Sequence, residues 1–283
     1  MFVRRLLVSA SVLGAIVSGC QPAMPPSASA PDLAAEPAVR VSGSGAALPL
    51  VQKLAAAYSR QHPADRFAFD AGTNSGGGIR GVVQGTLDIG VVNRPLSEAE
   101  ASDGLNVQPF AKDAVVFAAQ TASSVRGLST ADVQDVYGGV RTDWEQLGGA
   151  PGLILILDRD PDEPQRSQFL LPLLDGRPVQ ARTIMLTSVP DMLQTLEGTP
   201  NSLGYTTLTA LRIRQAKQVR VLALDGVVPG REALLAGTYP WYLTYSLVTR
   251  PEAPPAVERF LAFVRSPEGQ AALAEYDAAA PSV

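Results

Sequence analysis

VRVSGSGAALPLVQKLAAAY, residues 39–58, reads as one strand–turn–helix unit. Val39-Arg40-Val41-Ser42 alternates as a short strand, Gly43-Ser44-Gly45 forms a turn, and Leu50, Leu54 and Tyr58 recur four residues apart on a helix. The pattern repeats outward. Phe67 and Phe69 mark a second strand, the loop Thr73 to Gly78 follows, and Ile79, Val82 and Val83 open a helix that closes near Gly85. Leu87 to Val92 is a third strand, Val115 to Ala119 a fourth, and Leu153 to Leu157 a buried one further on. Helices start over Gln168 to Leu174 and Met192 to Leu196, and Val257 to Ala279 holds one or two more, bounded by Ser266-Pro267. Repeated strand–turn–helix units predict an α/β sheet with parallel strands.

Composition narrows the function. Net charge is −4 with a sequence pI of about 5.1, which argues against a nucleic-acid surface. The single Cys, Cys20, excludes an intramolecular disulfide framework and a Cys-cluster metal site. The single His, His62, leaves no His-rich zinc site, and no nucleophile–base pair is visible, so no enzyme activity, cofactor or metal is expected. The Gly-rich turns carry the chemistry. Each follows a strand and opens a helix, where unpaired N–H groups and the helix dipole favour an anion. Taken singly they are also what tight turns look like. Together, Ser44, Ser75 and Asn93-Arg94 lie at three successive strand ends, at the sheet edge where open α/β sheets bind ligands. No GxxxxGK[ST] run is present, so a nucleotide phosphate loop is not supported.

The N-terminus reads as an address. Arg4 and Arg5 precede an uncharged, mostly apolar run, Leu6 to Ser18, which ends at Gly19-Cys20. This matches a secretory signal and is too short for a stable membrane span. Val17-Ser18-Gly19-Cys20 resembles the lipobox of bacterial lipoproteins, implying lipidation of Cys20 and a signal peptide over residues 1–19; an ordinary secretory peptide with a chance Cys is the other reading. Cleavage before Cys20 would remove Arg4 and Arg5, taking the charge from −4 to −6. Residues 21–38, QPAMPPSASAPDLAAEPA, are mostly Ala, Pro and Ser with no aromatic residue, and read with Cys20 as a flexible tether, residues 20–38.

Beyond single motifs, six blocks resemble, in order, the phosphate-binding proteins of ABC importers. They are SGSGAALPLVQKLAAAY, NSGGGIRGVVQGTLDIGVVNRPLS, GLSTADVQDVYGGVRTDWEQLGG, NSLGYTTLTAL, LAGTYPWYLTYSLVTR and FLAFVRSPEGQAAL. The resemblance implies a type II periplasmic-binding-protein fold: two α/β lobes with the ligand cleft between them. Lobe one would be 39–120 plus 238–283 and lobe two 121–237, with crossings near Ala118-Ala119-Gln120 and Tyr239-Pro240. It further implies a lipid-anchored solute-binding protein of the bacterial envelope, a monomer, that captures phosphate or a similar oxyanion and docks on an ABC permease. An orphan lipoprotein of this fold, a sensor or envelope interaction protein without transport, is the alternative. Carried over by motif, the ligand-binding residues would be Ser44, Ala46, Ala47 and Leu48 in the first loop, Ser75 and Gly76 in the second, Asn93 and Arg94 in the third, and Arg159, Arg166 and Ser167 in lobe two.

Three departures from the family pattern concern the ligand. Gly45-Ala46-Ala47 lacks a Thr hydroxyl found in related loops, and Asn93 stands where some members place an Asp that accepts the ligand's proton. In lobe two the strand runs into DRDPDEPQRSQF, where Asp158, Asp160, Asp162 and Glu163 crowd Arg159 and Arg166. Those carboxylates would repel a bound phosphate unless paired with the arginines or turned to solvent. Arg166 reads either as a surface ion pair with Glu163 or as a bidentate oxyanion clamp. His62 is expected at the surface, Trp144 and Trp241 in core or hinge positions, and Tyr205 in the core; Asp113 either accepts from a ligand or caps a turn.

Overall fold

The computed structural model describes residues 38–281. The signal segment, Cys20 and all but the last residue of the expected tether lie outside the described residues. The first unit runs β1 (Val39–Gly43), α1 (Leu48–Ser59), β2 (Phe67–Phe69), α2 (Asn74–Val83) and β3 (Ile89–Val92), then the short α3 (Glu98–Ala101). A long strand β4 (Asn106–Gln120) follows, with β5 (Gly127–Leu128), α4 (Thr130–Tyr137), β6 (Leu155–Arg159), α5 (Leu171–Leu174), β7 (Thr183–Leu186) and α6 (Val189–Gly198). Next come β8 (Ser202–Thr207), α7 (Leu208–Arg214), β9 (Val219–Val221), β10 (Ala223–Leu224) and α8 (Arg231–Leu235). The chain closes with β11 (Tyr242–Thr249), α9 (Pro255–Arg265) and α10 (Pro267–Ala274).

One sheet has the order β2-β1-β3-β11-β4-β8-β6-β7, with β9 also on β4. The pairs β1–β2, β1–β3, β6–β7 and β6–β8 are parallel, as the repeated units predict. The centre of the sheet departs from that parallel pattern. There β11 is antiparallel to both β3 and β4, and β4 is antiparallel to β8 and β9. β11 has no helix crossover from a neighbouring parallel strand, because it arrives from the far end of the chain.

β4 joins the two ends of the sheet. Its residues up to Ala114 pair with β11, and from Val115 they pair with β8. The returning chain crosses beside the same point, where Tyr239 Oη donates to the Val115 carbonyl at 2.7 Å and Val115 N–H donates to the Trp241 carbonyl at 3.0 Å. Two details of the sequence reading shift. The strand expected over Leu153 to Leu157 is β6, two residues later; Leu153 is 69% exposed and makes only an isolated bridge to Asp143. The helix expected from Gln168 begins with a π-helical turn, Arg166–Leu170, before α5.

Packing around the helices follows from residue type. Tyr58, Phe67, Phe260 and Phe263 make edge contacts between α1, β2 and α9. Phe117, Tyr137, Phe169 and Tyr205 cluster at the other end of the sheet. Each side chain of this size contributes about 1.5–3 kcal/mol on burial. Trp144 is fully buried, with its indole N–H on the Asn201 carbonyl at 2.9 Å, and Trp241 is half-buried against Phe169. Glycines let α2 lie directly on the sheet: a Cβ at Gly78 would sit 2.9 Å from Gly43 Cα, and one at Gly90 would sit 2.8 Å from the Gly78 carbonyl oxygen. Gly43 itself has φ 145°, and a Cβ there would lie 2.1 Å from the Val91 oxygen.

Candidate functional site

A cleft of about 730 Å³ opens where these strand ends meet. Ser44, Gly45 and Ala46 line it after β1, Gly72 to Gly76 at the start of α2, and Asn93 and Arg94 after β3. Across from them lie Arg159, Asp160, Asp162, Glu163 and Pro164 after β6, and Thr187 to Pro190 at the start of α6.

The first loop turns some of its groups inward. Ser44 Oγ accepts the Ala47 N–H at 3.4 Å, and the Leu48 N–H reaches the Ser44 carbonyl at 2.9 Å. Of the four residues expected there, Ser44 and Ala46 line the cleft, whereas Ala47 and Leu48 are buried behind it with their amides used within the turn. At α2, Asn74 takes the left-handed φ of 60°, and its Oδ1 accepts the Gly77 N–H at 2.9 Å. That bond occupies the Gly77 N–H within the first turn and leaves the Ser75 and Gly76 amides, which have no acceptor within the helix, at the cleft.

Ser75 and Asn93 act as a pair. Ser75 Oγ donates to Asn93 Oδ1 at 2.8 Å and accepts the Asn93 N–H at 3.2 Å. The Ser75 proton is therefore committed to Asn93, which leaves the Asn93 amide NH₂ as the side-chain donor at this corner. Arg94 is held by a local signature six residues on. Ser97 and Glu100 form a capping box at α3, and the same Glu100 grips Arg94 through two bonds of 2.8 Å. The Arg94 guanidinium, assisted by the Ser97 amide against partial burial, holds the Glu100 carboxyl down to about 2.

Arg159 is the most buried charge at the cleft, 1% exposed. Its Nη2 lies 3.2 Å from Glu163 Oε2, while Nε and Nη1 are buried with no hydrogen-bond partner among the described residues. Behind it, buried Asp158 gathers Tyr205 Oη at 2.6 Å, the Arg159 N–H at 2.7 Å and Arg166 Nε at 3.2 Å. Arg166 thus takes neither role expected of it: its Nε pairs with Asp158, not Glu163, and the residue does not line the cleft. Ser167 is turned to the carbonyls of Glu163 and Pro164 and also stays outside the cleft. Both residues lie in the π-helical turn Arg166–Leu170, where the buried Asp158 carboxylate and the preceding carbonyls hold their polar groups.

Sequence reasoning missed the α6 corner. Ser188 accepts the Asp191 N–H at 3.2 Å and donates to its carboxylate at 2.5 Å, so Thr187 and Ser188 reach the cleft at a helix N-terminus. The Ser188-Val189-Pro190-Asp191 string, a capping residue with Pro in the first turn and Asp three residues on, was a legible signal. Thr73, Asn74, Asp160, Asp162 and Glu163 also line the cleft without having been expected as site residues. Asp113, by contrast, lies in the middle of β4, beside the point where that strand changes partner from β11 to β8. It is fully buried, accepts the Thr209 N–H at 3.1 Å and the Tyr245 hydroxyl at 2.7 Å, and also bonds the Thr209 hydroxyl. It caps the start of α7, and burial pushes its carboxyl up to about 6 against the lowering pull of those donors. His62 is exposed and stacked on Tyr58, 4.3 Å between ring centroids, at the end of α1.

The chain is similar to known proteins along most of its length. The model of the PBP superfamily domain matches residues 25–268. The phosphate-binding protein PstS of Bacillus subtilis (strain 168) is 26% identical over 235 residues, covering 81% of this chain and 76% of the relative. A substrate-binding protein of Clostridium perfringens, solved with bound phosphate, superposes with a TM-score of 0.76 at 22% identity, over 87% of this chain and all of that one. An ABC-type phosphate transport receptor of Vibrio cholerae gives a TM-score of 0.63 at 22% identity, over 86% of this chain. These structures share the two-lobed type II binding-protein fold with this chain.

Proposed function

We propose that this chain, which belongs to the PBP superfamily, is the solute-binding component of an ABC importer and captures phosphate or a related tetrahedral oxyanion in the cleft. The observation that carries the reading is the convergence on one cleft of Ser44, the α2 amides, Asn93 and a buried Arg159, two of whose nitrogens have no partner among the described residues. Fixed neutral donors and one guanidinium suit a dehydrated oxyanion, because each ligand oxygen taken from water needs a replacement partner. The reading is one of binding rather than catalysis: His62, the sole imidazole, lies outside the cleft.

In this reading lobe one is 39–120 with 238–283 and lobe two is 121–237. The ligand shifts an open–closed equilibrium by making more contacts in the closed state. Lipidation of Cys20 would hold the protein at the extracytoplasmic face of the membrane. No helix among the described residues is long and apolar enough to cross a membrane. Calorimetric titration with phosphate, arsenate, sulfate and molybdate tests the binding role. Saturable heat with at least one of them, accompanied by a rise in Tm, is expected; no heat and no thermal shift with any of the four overturns it.

A further inference from the structure

The cleft is more acidic than capture of a bare oxyanion explains. Asp160, Asp162 and Glu163 line it together with Arg94 and Arg159. Glu163 pairs with Arg159, and Arg94 is held by Glu100 outside the lining. Asp160 spends only Oδ1, on the Asp162 N–H at 3.2 Å, and neither aspartate has an ion-pair partner among the described residues. Half-buried Asp160 repels an inorganic anion held beside Arg159, and exposed Asp162 at the rim adds to that repulsion once closure of the cleft excludes water.

Size points the same way. About 730 Å³ falls in the range of roughly 300–1,000 Å³ typical of sites for organic ligands. The cleft offers donors at one end, from Ser44, the α2 amides, Asn93 and Arg159, and unpaired carboxylates beside them. A ligand carrying both charges would satisfy both. Nor do these acids form a metal cage, since no group of three or more His, Cys, Asp or Glu among the described residues is arranged to hold a metal ion.

We infer that the cleft takes a zwitterion, a tetrahedral phosphorus oxyanion joined by a short carbon chain to an ammonium group, with the oxyanion at Arg159 and the ammonium at Asp160 and Asp162. The inference rests on the oxyanion-binding reading of the same cleft. Complementary charge at both ends rejects ligands that lack one of them, which is how a polar site achieves selectivity.

The test is calorimetric titration of the detergent-solubilised full chain with inorganic phosphate, ethylphosphonate and aminoethylphosphonate. Aminoethylphosphonate is expected to bind at least about tenfold more tightly than ethylphosphonate, and the Asp160→Asn, Asp162→Asn double variant should collapse that ratio toward one. The amides keep the Oδ1 acceptor that Asp162 N–H uses, so the loop conformation is retained. Equal affinity for the two phosphonates alongside measurable phosphate binding overturns the zwitterion inference and leaves the importer reading standing. A tenfold preference that survives in the double variant overturns the assignment to Asp160 and Asp162. No binding of any of the three overturns the zwitterion inference, and the importer reading is then decided by the arsenate, sulfate and molybdate titrations.

Discussion

At the scale of single residues, Arg159 concentrates the chemistry of the cleft. Burying a guanidinium is costly unless its donors are met, yet among the described residues only Nη2 faces a carboxylate, at 3.2 Å, while Nε and Nη1 are buried without an acceptor. A ligand oxyanion is the partner that geometry favours, because the planar fork presents parallel N–H groups. Arg159→Ala should therefore weaken anion binding by more than about tenfold, and Arg159→Lys should recover only part of the loss, since an ammonium restores charge without the fork. Calorimetry on both variants checks this, and wild-type affinity in Arg159→Ala would place the ligand elsewhere. The motif position of Arg159 after a buried strand was legible in the sequence. What Arg166 does was not: its partner is Asp158, a buried carboxylate that also accepts the Tyr205 hydroxyl from β8.

At the scale of elements, two contacts govern how the cleft is held. Helix α2 rests on β1 with no side chain between them. A Cβ at Gly78 would meet Gly43 Cα at 2.9 Å and the Ser42 oxygen at 3.1 Å, so Gly78→Ala must push the helix off the sheet. We expect a loss of about 1–3 kcal/mol in denaturant unfolding, together with weaker ligand binding because the α2 N-terminus moves. Gly45→Ala is the control for stability, since a Cβ there meets nothing within 4 Å. The second contact is Asp113, which ties β4 to α7 and β11 where β4 changes partner. Burial raises its carboxyl from 3.8 to about 6, so between those values the folded chain binds a proton that the unfolded chain has released. Its contribution to stability is thus fully present below about pH 4 and is lost as pH rises through about 6, a change of roughly 3 kcal/mol at most. Asp113→Asn should flatten that part of the stability–pH curve; an unchanged slope in the variant would remove Asp113 as its source.

At the scale of the whole molecule, the proposal joins a ligand cleft to a membrane. If Cys20 carries the lipid, wild-type protein should partition with membranes, and Cys20→Ser should appear as soluble or unprocessed protein on fractionation. Unchanged membrane partitioning in that variant would end the lipoprotein reading. Acidity bears on the same scale. With a net charge of −4 before any processing, attraction of an anion cannot come from the protein's overall field and must be local, through helix N-termini and Arg159.

The amino-acid sequence by itself determined the strand–turn–helix units around Ser44 and Ser75. Their apolar spacing and glycines act over a few residues, where one backbone conformation is already preferred. It also determined the capping box that orients Arg94, a six-residue affair. Only the tertiary structure decided that β11 runs antiparallel at the centre of the sheet, because that pairing joins residues more than a hundred positions apart. It alone sorted the four acids of the β6 loop, giving Asp158 to Tyr205 and Arg166, Glu163 to Arg159, and Asp160 and Asp162 to the cleft. Charges adjacent in sequence have no intrinsic order of pairing; burial and the positions of distant partners choose among them.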